Sequence, residues 1–220
     1  MGRAPARRLG DTLAHLGDTP TPPTGHPHPE MDGTTRKDNY QIHVFCDASE
    51  RAYGAVLYIR PTQGTETRER IACSKNRLDP LKKVKLPRLE LIAALVGTRL
   101  LYYFCKETGN NTTEATMWSD STVALGWIRS DPNRWKTFVG NRATEIHTHT
   151  TPSQWKHCPG EDNPADYLSR GVTAEQLKEL RTWWHGPTWL AEDPHRWPHQ
   201  EAQTHHPLPD EKKVSPHRVH

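Results

Sequence analysis

Four acidic residues stand in sequence surroundings that otherwise predict burial. Asp47 and Asp120 each follow a short apolar run, at the point where a predicted strand ends. Glu90 lies within the most apolar helical segment of the chain, and Asp166 lies at the predicted start of the last helix. A buried carboxylate costs several kcal/mol of free energy unless it is paired or bound to a metal ion. We therefore take these four acids as the candidate functional site.

The placement of the acids predicts a divalent-metal site. In open α/β sheets, functional groups meet beyond the carboxyl ends of neighbouring strands, so Asp47 and Asp120 come together if their strands are parallel neighbours. A helix packed on the sheet can bring Glu90 to this edge, and the helix after the last strand can bring Asp166. Oxygen-only ligands suit Mg²⁺ or Mn²⁺ rather than zinc. Two such ions, about 4 Å apart, can activate water and stabilise the leaving oxygen in phosphodiester hydrolysis.

Taken singly, each acid also has an ordinary structural explanation. Asp120 is a suitable helix N-cap, and Asp166 suits the first turn of a helix, where a negative charge favours the helix dipole. Asp47 suits a turn, and Glu90 could lie on a solvated helix face. The shared placement of the acids, at strand ends and on covering helices, favours the metal site over these separate explanations.

Hydrophobic periodicity predicts the elements that must position the acids. The order is β-β-β-α-β-α-α-β-α, and three adjacent strands followed by strand–helix alternation indicate an α/β fold with a mixed sheet covered by helices. Pro87 suits the first turn of the main helix, and Gly109 is expected to end it. Strands are predicted at 42–47, 52–59, 68–74, 115–119 and 154–158, and helices at 87–105, 122–128, 131–147 and from 163.

The 220-residue chain divides by composition into a core and two tails. Residues 1–40 contain six prolines and almost no periodic apolar pattern, which predicts a disordered segment or linker. Residues 186–220 contain six more prolines, and 191–220 is predicted to be a Pro/His-rich linker or tail. Residues 41–170 carry nearly all of the periodicity and are predicted to form one domain.

Composition excludes several classes of protein. No apolar run reaches the roughly 18 residues of a membrane span, and the polar N-terminus lacks a secretory signal. Four cysteines without a Cys-X-X-Cys pair are too few for a disulfide scaffold or a zinc module. They indicate a reducing compartment, so we expect an intracellular protein, cytoplasmic or nuclear. The net charge of +3 decides little by itself, because its distribution matters more.

Four motifs in this chain resemble those of retroelement ribonuclease H domains, and they occur in the same order. They are Asp47-Ala48-Ser49, PRLEL at 87–91, WSDSTVAL at 118–125 and HCPGEDNPADYLSR at 157–170. The run Trp183-Trp184-His185-Gly186-Pro187 narrows the resemblance to the BEL/Pao class of LTR retrotransposon polyproteins. The resemblance extends over about residues 41–190, and it assigns 171–190 to a family-specific extension.

The resemblance implies a ribonuclease H-like fold with a five-stranded mixed sheet flanked by helices. It implies a metal-dependent endonuclease that hydrolyses the RNA strand of RNA–DNA hybrids during reverse transcription. By motif match, Asp47, Glu90, Asp120 and Asp166 become the catalytic carboxylates, which bind two Mg²⁺ or Mn²⁺ ions. His157 is expected to be an ordinary strand residue rather than the mobile histidine of many such enzymes.

The same resemblance implies partners beyond the nucleic acid. A complete element places a reverse transcriptase before this domain and an integrase after it, and neither fits in the two tails. We therefore expect a fragment or separated domain, with the other parts of the parent polyprotein as its partners.

Two other functions remain open from the sequence. A retroelement remnant could bind nucleic acid or a protein partner without catalysis, although such a remnant does not need Glu90 in an apolar helix. The family region is also known as a Pao retrotransposon peptidase, which suggests an aspartic peptidase. The segment Asp120-Ser121-Thr122-Val123 lacks the glycine of an Asp-Ser/Thr-Gly motif, so the sequence disfavours this activity.

A basic segment directly precedes the Glu90 helix. Residues 75–88 contain six basic residues and one acid, and basic side chains beside a metal site can neutralise phosphates. A solvated basic loop is the alternative explanation. Small polar residues after two of the acids could also contact sugar hydroxyls. The predicted nucleic-acid contacts are Lys82, Lys83, Lys85, Arg88, Ser49 and Ser121.

Overall fold

A single five-stranded sheet organises the part of the chain that the computed structural model describes, residues 40–62, 69–78, 84–198 and 208–212. The strands are β1 (Tyr40–Ala48), β2 (Ala52–Pro61), β3 (Arg70–Leu78), β4 (Thr116–Ser119) and β5 (Trp155–His157). They lie in the order β3-β2-β1-β4-β5. The pairs β1–β2 and β2–β3 are antiparallel, whereas β1–β4 and β4–β5 are parallel. The predicted mixed sheet with flanking helices is therefore confirmed.

Six α-helices lie in the described residues, and the order of elements follows the prediction as far as α4. They are α1 (Leu86–Thr108), α2 (Thr122–Ile128), α3 (Thr137–His149), α4 (Asp166–Arg170), α5 (Ala174–Glu179) and α6 (Arg181–His185). Pro87 lies at the start of α1, and Gly109 ends this helix with φ of 75°, as predicted. None of the described helices is both long and apolar enough to cross a membrane.

Two boundaries differ from the prediction. The helix expected from Asp131 is interrupted, because a short 3₁₀ turn at Pro132–Arg134 is followed by an extended Trp135 whose side chain is buried. Strand β3 continues to Leu78, past the predicted end at residue 74, because it pairs with β2 along its whole length as far as Ala52.

Side chains alternate between the two faces of the sheet, and both faces are buried. On one face, Val44, Cys46 and Leu57 pack against α1 and the helices beside it. On the other face, Phe45 and Trp118 belong to a second apolar cluster. Because successive residues of a strand point to opposite faces, β1 is enclosed on both sides, and its carboxyl end is held firmly in place.

The second face is covered by residues 171–197, which turn back over the sheet. Trp183, Trp189 and Trp197 are buried in the same cluster as Trp118, and the Tyr58 hydroxyl donates a hydrogen bond to the Trp183 carbonyl at 2.7 Å. Residues 186–198 therefore differ from the Pro-rich tail that composition predicts. These residues form short turns without helical or strand periodicity, so hydrophobic periodicity does not predict them. The turns place the indole rings of Trp189 and Trp197 against the sheet. The predicted disorder at 1–39, 199–207 and 213–220 lies outside the described residues, whereas residues 208–212 of the predicted tail pack against the domain.

A close contact between α1 and the sheet fixes the helix that carries Glu90. A Cβ atom added to Gly97 would overlap the Cys46 sulfur and would lie 3.3 Å from side-chain atoms of Ala55 and Val44. The absence of a side chain at Gly97 therefore allows the helix backbone to approach β1 and β2.

We predict that Gly97→Ala destabilises the protein by about 1–3 kcal/mol, because the added methyl overfills the helix–sheet contact. This loss should outweigh the gain of roughly 1 kcal/mol that Ala usually gives inside a helix. Chemical unfolding would measure the change. The double variant Gly97→Ala/Cys46→Ala, which removes the overlapping sulfur, should recover part of the loss. Equal destabilisation of the single and double variants would contradict this account.

Candidate active site

Parallel pairing of β1 and β4 brings two of the four acids to the same edge of the sheet. Cys46 pairs with Ser119, so Asp47 and Asp120 are the next residues on neighbouring strands. The Asp47 side chain is buried, with 6% of the residue exposed, although it is an acid at a strand end. This arrangement follows the sequence prediction, which required the two strands to be parallel neighbours.

Glu90 reaches the same region from α1 through a contact with Ser121. The Ser121 hydroxyl donates a hydrogen bond to Glu90 Oε2 and accepts one from the backbone N–H of Ala124 at 3.1 Å. Ser121 is therefore the N-cap of α2, a structural role that the sequence also allowed for Asp120. Since Ser121 caps this helix, the carboxylate of Asp120 is not needed for capping.

The segment that contains Asp166 is joined to β1 by hydrogen bonds. The Ser169 hydroxyl donates to Asp47 Oδ2, and the Ser49 hydroxyl donates to the Ser169 carbonyl at 2.7 Å. The side-chain amide of Asn163 donates to the Cys46 carbonyl at 3.0 Å. Together these bonds place α4, whose first residue is Asp166, beside the carboxyl end of β1.

The four acids influence one another electrostatically. Burial raises the pKa of Asp47 to about 7; the Ser169 hydrogen bond opposes this shift, and the charges of Asp120 and Asp166 add to it. Burial likewise raises the pKa of Glu90 to about 7, against the opposing hydrogen bond from Ser121 and with a contribution from Asp120. The pKa of Asp120 is also raised by burial, and the Asp166 charge reinforces the shift. The acids thus form one anionic group rather than four separate surface charges.

Asp166 differs from the other three because it has a cationic partner. Arg170 Nε lies 2.5 Å from Asp166 Oδ1, and the Arg170 side chain is 75% exposed. Burial raises the pKa of Asp166, and Arg170 opposes this shift. Asp166 therefore lies at the outer, more solvated side of the group.

The residues present fit a divalent cation by charge and by donor type. Asp120 Oδ1 is buried and has no hydrogen-bond partner among the described residues, which is the condition of an oxygen that a cation could satisfy. Carboxylate oxygens are the ligands that Mg²⁺ and Mn²⁺ prefer. Within the described ranges, three or more His, Cys, Asp or Glu side chains do not converge into a ready-made metal cluster. Ion binding would therefore require the acids to draw closer together.

The sequence analysis gave no role to Ser169 or Asn163. In the structure, these two side chains bind residues 163–170, which we call the closing segment, to β1. Both lie inside the motif at 157–170, but the residue types alone do not reveal a bond to a strand more than a hundred positions earlier. Gly160 is also close, since a Cβ atom there would lie 3.2 Å from Asp120 Oδ2. His157 ends β5, as expected of a strand residue, and it lowers the pKa of Asp120.

The predicted nucleic-acid contacts have mixed placements. Lys85 is exposed at the N-cap of α1, and Arg88 forms an ion pair with Asp210. The hydroxyls of Ser49 and Ser121 are engaged with Ser169 and Glu90 rather than turned toward a ligand. Lys82 and Lys83 lie outside the described residues.

Comparison with known proteins identifies the class of domain. Residues 30–121 match the family model of the Pao retrotransposon-like RNaseH-like domain, a span that includes Asp47, Glu90 and Asp120. No curated protein matches significantly. The family match confirms the predicted resemblance: the chain carries a ribonuclease H-like fold, similar over residues 30–121 to that of Pao retrotransposons.

Several solved ribonuclease H structures are similar in outline. The N-terminal ribonuclease H domain of a Mycobacterium tuberculosis protein has a TM-score of 0.39 and 12% identity, covering 60% of this chain and 91% of that one. Ribonuclease H1 of Halobacterium salinarum has a TM-score of 0.37 and 14% identity, covering 64% and 98%. LC11 ribonuclease H1 in complex with an RNA/DNA hybrid has a TM-score of 0.41 and 13% identity, covering 63% and 99%.

The raised pKa of Glu90 predicts how Glu90→Gln changes stability with pH in EDTA. In the folded state Glu90 holds its proton up to a pKa of about 7, whereas the unfolded chain releases it near 4.5. The wild type therefore loses stability as the pH rises from about 4.5 to 7, and the glutamine variant lacks this loss. The stability of the glutamine variant relative to the wild type should therefore increase by about 2–3 kcal/mol between pH 5 and pH 8.

Urea unfolding at several pH values would measure this difference. Glu107→Gln is the matched control, because Glu107 is exposed near the other end of the same helix. Measured at the same pH values, it gives the effect of a Glu-to-Gln change at an exposed position of this helix, with which the Glu90→Gln series is compared. A pH-independent difference for Glu90→Gln would show that Glu90 is not held in a charge-excluding environment.

Proposed function

We propose that this protein is a metal-dependent endonuclease that hydrolyses the RNA strand of RNA–DNA hybrids. The observation that supports it most directly is the anionic group at the carboxyl ends of β1 and β4, where burial and like charges raise the pKa of Asp47 and Glu90 to about 7. Strongly shifted pKa values of grouped acids are typical of functional sites. The choice of substrate depends on the similarity to Pao retrotransposon ribonuclease H-like domains.

The four acids have distinct parts in this proposal. Asp47 and Asp120 hold the cations at the strand ends, Glu90 adds a ligand from α1, and Asp166 completes the set from the solvated side. When bound, one or two Mg²⁺ or Mn²⁺ ions supply an activated water and stabilise the leaving oxygen.

Two serines keep this group in position. Ser121 orients Glu90 and also caps α2, so that the carboxylate and the helix start move together. Ser169 orients Asp47 from the closing segment. In the proposed reaction these hydroxyls are positioning groups, and they do not contact the RNA strand.

The proposed partners follow from the family similarity. Hybrid would be supplied by the reverse transcriptase part of a parent polyprotein, and an integrase part would follow this domain. The exposed Lys85 and the basic residues that precede it provide positive charge next to the helix that carries Glu90.

We predict that Asp120→Asn abolishes cleavage of an RNA–DNA hybrid in Mg²⁺ or Mn²⁺ while the fold remains intact. An amide has nearly the same shape as a carboxylate, but it lacks the negative charge that a hard divalent cation requires. A gel assay with labelled RNA in the hybrid would measure the rate, and circular dichroism would confirm folding.

The control for this experiment is Asp131→Asn, the same change at an exposed residue that caps a short turn. It should cleave at the wild-type rate, because asparagine also caps such turns. Wild-type activity in Asp120→Asn would refute the role of this acid. Hybrid binding without cleavage by the wild-type protein would instead favour the non-catalytic remnant.

We further predict that Lys82→Ala/Lys83→Ala reduces the salt dependence of hybrid binding. Each phosphate contact contributes about −0.9 to the slope of log affinity against log salt, so loss of two contacts should flatten it by roughly one to two units. Affinity should fall equally for all sequences, because phosphates carry no base information. Titrations at three salt concentrations would test this, and an unchanged slope would exclude these lysines from the binding surface.

A further inference from the structure

A short acidic segment of the chain, Leu208–Lys212, lies across the start of α1, α2 and the turn before α3; we call it the acidic strap. Asp210 accepts two hydrogen bonds from the Arg88 guanidinium, at 2.9 and 2.8 Å. Glu211 accepts one from Arg134 at 2.8 Å. Lys136 Nζ lies 3.9 Å from Asp210 Oδ1. Arg88, Arg134 and Lys136, together with Lys85, form what we call the cationic groove.

The backbone of the strap is held as firmly as its acids. Lys136 N–H donates to the Asp210 carbonyl at 2.8 Å, and Lys212 N–H donates to the Arg134 carbonyl at 2.8 Å. The indole N–H of Trp127 donates to the Pro209 carbonyl at 2.9 Å. The strap is therefore a docked peptide with a defined register.

One apolar side chain anchors the strap. Leu208 packs against the main core cluster, and a Cβ atom added to Gly126 would lie 2.6 Å from Leu208 Cδ1. Gly126 thus leaves the space on α2 that Leu208 occupies. Asp210 has φ of 65°, and among the described residues it is the one non-glycine residue with positive φ. Asp and Asn tolerate this left-handed conformation better than most residues.

The charges of the groove exceed those of the strap. Two acids face four cations, and the hydrogen bonds from Arg88, with charge contributions from Arg88, Lys136 and Lys85, lower the pKa of Asp210. The two-pronged Arg88–Asp210 contact has the geometry with which arginine binds phosphate. The Arg88 and Arg142 guanidinium groups also lie 4.8 and 3.6 Å from the centroid of the Phe138 ring.

We propose that the acidic strap occupies the place of a nucleic-acid strand on the cationic groove, so that the phosphodiester backbone binds there only after the strap leaves. This inference rests on the proposed function for the identity of the strand. Release would break the ion pairs, three hydrogen bonds that involve the strap backbone and the packing of Leu208, and the cations of the groove would regain anionic partners from the bound strand. The strap acts as an internal competitor for the polyanion.

Two full-length variants release the strap in different ways. Asp210→Asn/Glu211→Gln removes its two negative charges, and asparagine tolerates the left-handed backbone at residue 210. Leu208→Ala removes the apolar anchor and leaves every charge of the protein unchanged. The charge-matched control is Glu175→Gln/Glu179→Gln on α5, because these exposed acids lie on the helix whose Leu177 packs on the opposite face of the sheet.

Affinity would be measured by fluorescence anisotropy with two probes, a labelled RNA–DNA hybrid and a labelled heparin fragment. The double-charge variant should bind each probe at least about tenfold more tightly than the control at low salt, with a slope against salt steeper by roughly two units. Leu208→Ala should shift affinity in the same direction. Thermal unfolding would confirm that each variant is folded, and hybrid added to the wild type should shift the NMR signal of the Trp127 indole N–H as Pro209 is displaced.

The two probes separate this inference from the proposed function. Tighter binding of both probes by both variants, without cleavage of hybrid by any form, would support the strap and refute the proposed function. Tighter binding of heparin alone would overturn the assignment of the groove to a nucleic-acid strand. Equal affinities for both probes in the wild type, the variants and the control would overturn the strap, whether or not the protein cleaves hybrid. Lower thermal stability of the variants, with unchanged affinities for both probes, would likewise overturn the proposal, because the segment would then only stabilise the fold.

Discussion

The burial of several carboxylates at one edge of the sheet is the constraint on which the rest of this structure depends. Asp47 and Asp120 follow paired positions of parallel neighbouring strands, so their like charges meet where little water can screen them. Hydrogen bonds between the elements that carry the acids hold this unfavourable arrangement in place. Ser121 joins Glu90 to α2, and Ser169 joins the closing segment to β1. Under the proposed function, a bound cation would relieve the repulsion between the acids as they draw closer together around it.

The sheet face that carries Phe45 and Trp118 keeps its buried histidine uncharged. His43 is buried against Trp118 and Trp197, and burial, with nearby Arg60 and Lys156, lowers its pKa to about 3. The ring is therefore neutral at ordinary pH. The tryptophan turns of residues 171–197 complete this aromatic layer. Phe45 of β1 and Trp118 of β4, which lie two residues before Asp47 and Asp120, are both buried in this layer.

Local signals in the sequence predicted the elements well, because those signals act over a few residues. Pro87 and Gly109 mark the ends of α1, and the apolar runs before Asp47 and Asp120 mark two strand ends. Contacts made across the chain were not predictable in this way. The bond from Ser169 to Asp47 spans 122 positions, and no periodicity of either segment indicates it. The turns that carry Trp183, Trp189 and Trp197 were not predicted for a related reason. The prolines between them suggest a disordered tail, whereas the burial of each indole ring depends on a sheet formed by residues far earlier in the chain.

The same distinction explains why the basic residues were harder to interpret than the acids. Burial of an acid costs free energy, so an acid within an apolar run is conspicuous in the sequence, and Glu90 can be recognised without knowledge of its spatial neighbours. A basic residue in a polar segment has no such cost, and only the structure shows that Arg88 already has a partner in Asp210. The protein thus has two regions of opposite charge, the acid site and the cationic groove. The chain supplies the counter-charge of the cationic groove from its own strap, whereas the described residues supply Asp166 with Arg170 but leave Asp120 Oδ1 unsatisfied. Polyanion and cation would therefore meet different barriers on the same protein. Under the two proposals, a strand would have to displace a peptide, whereas a divalent ion would have to draw together acids that repel one another.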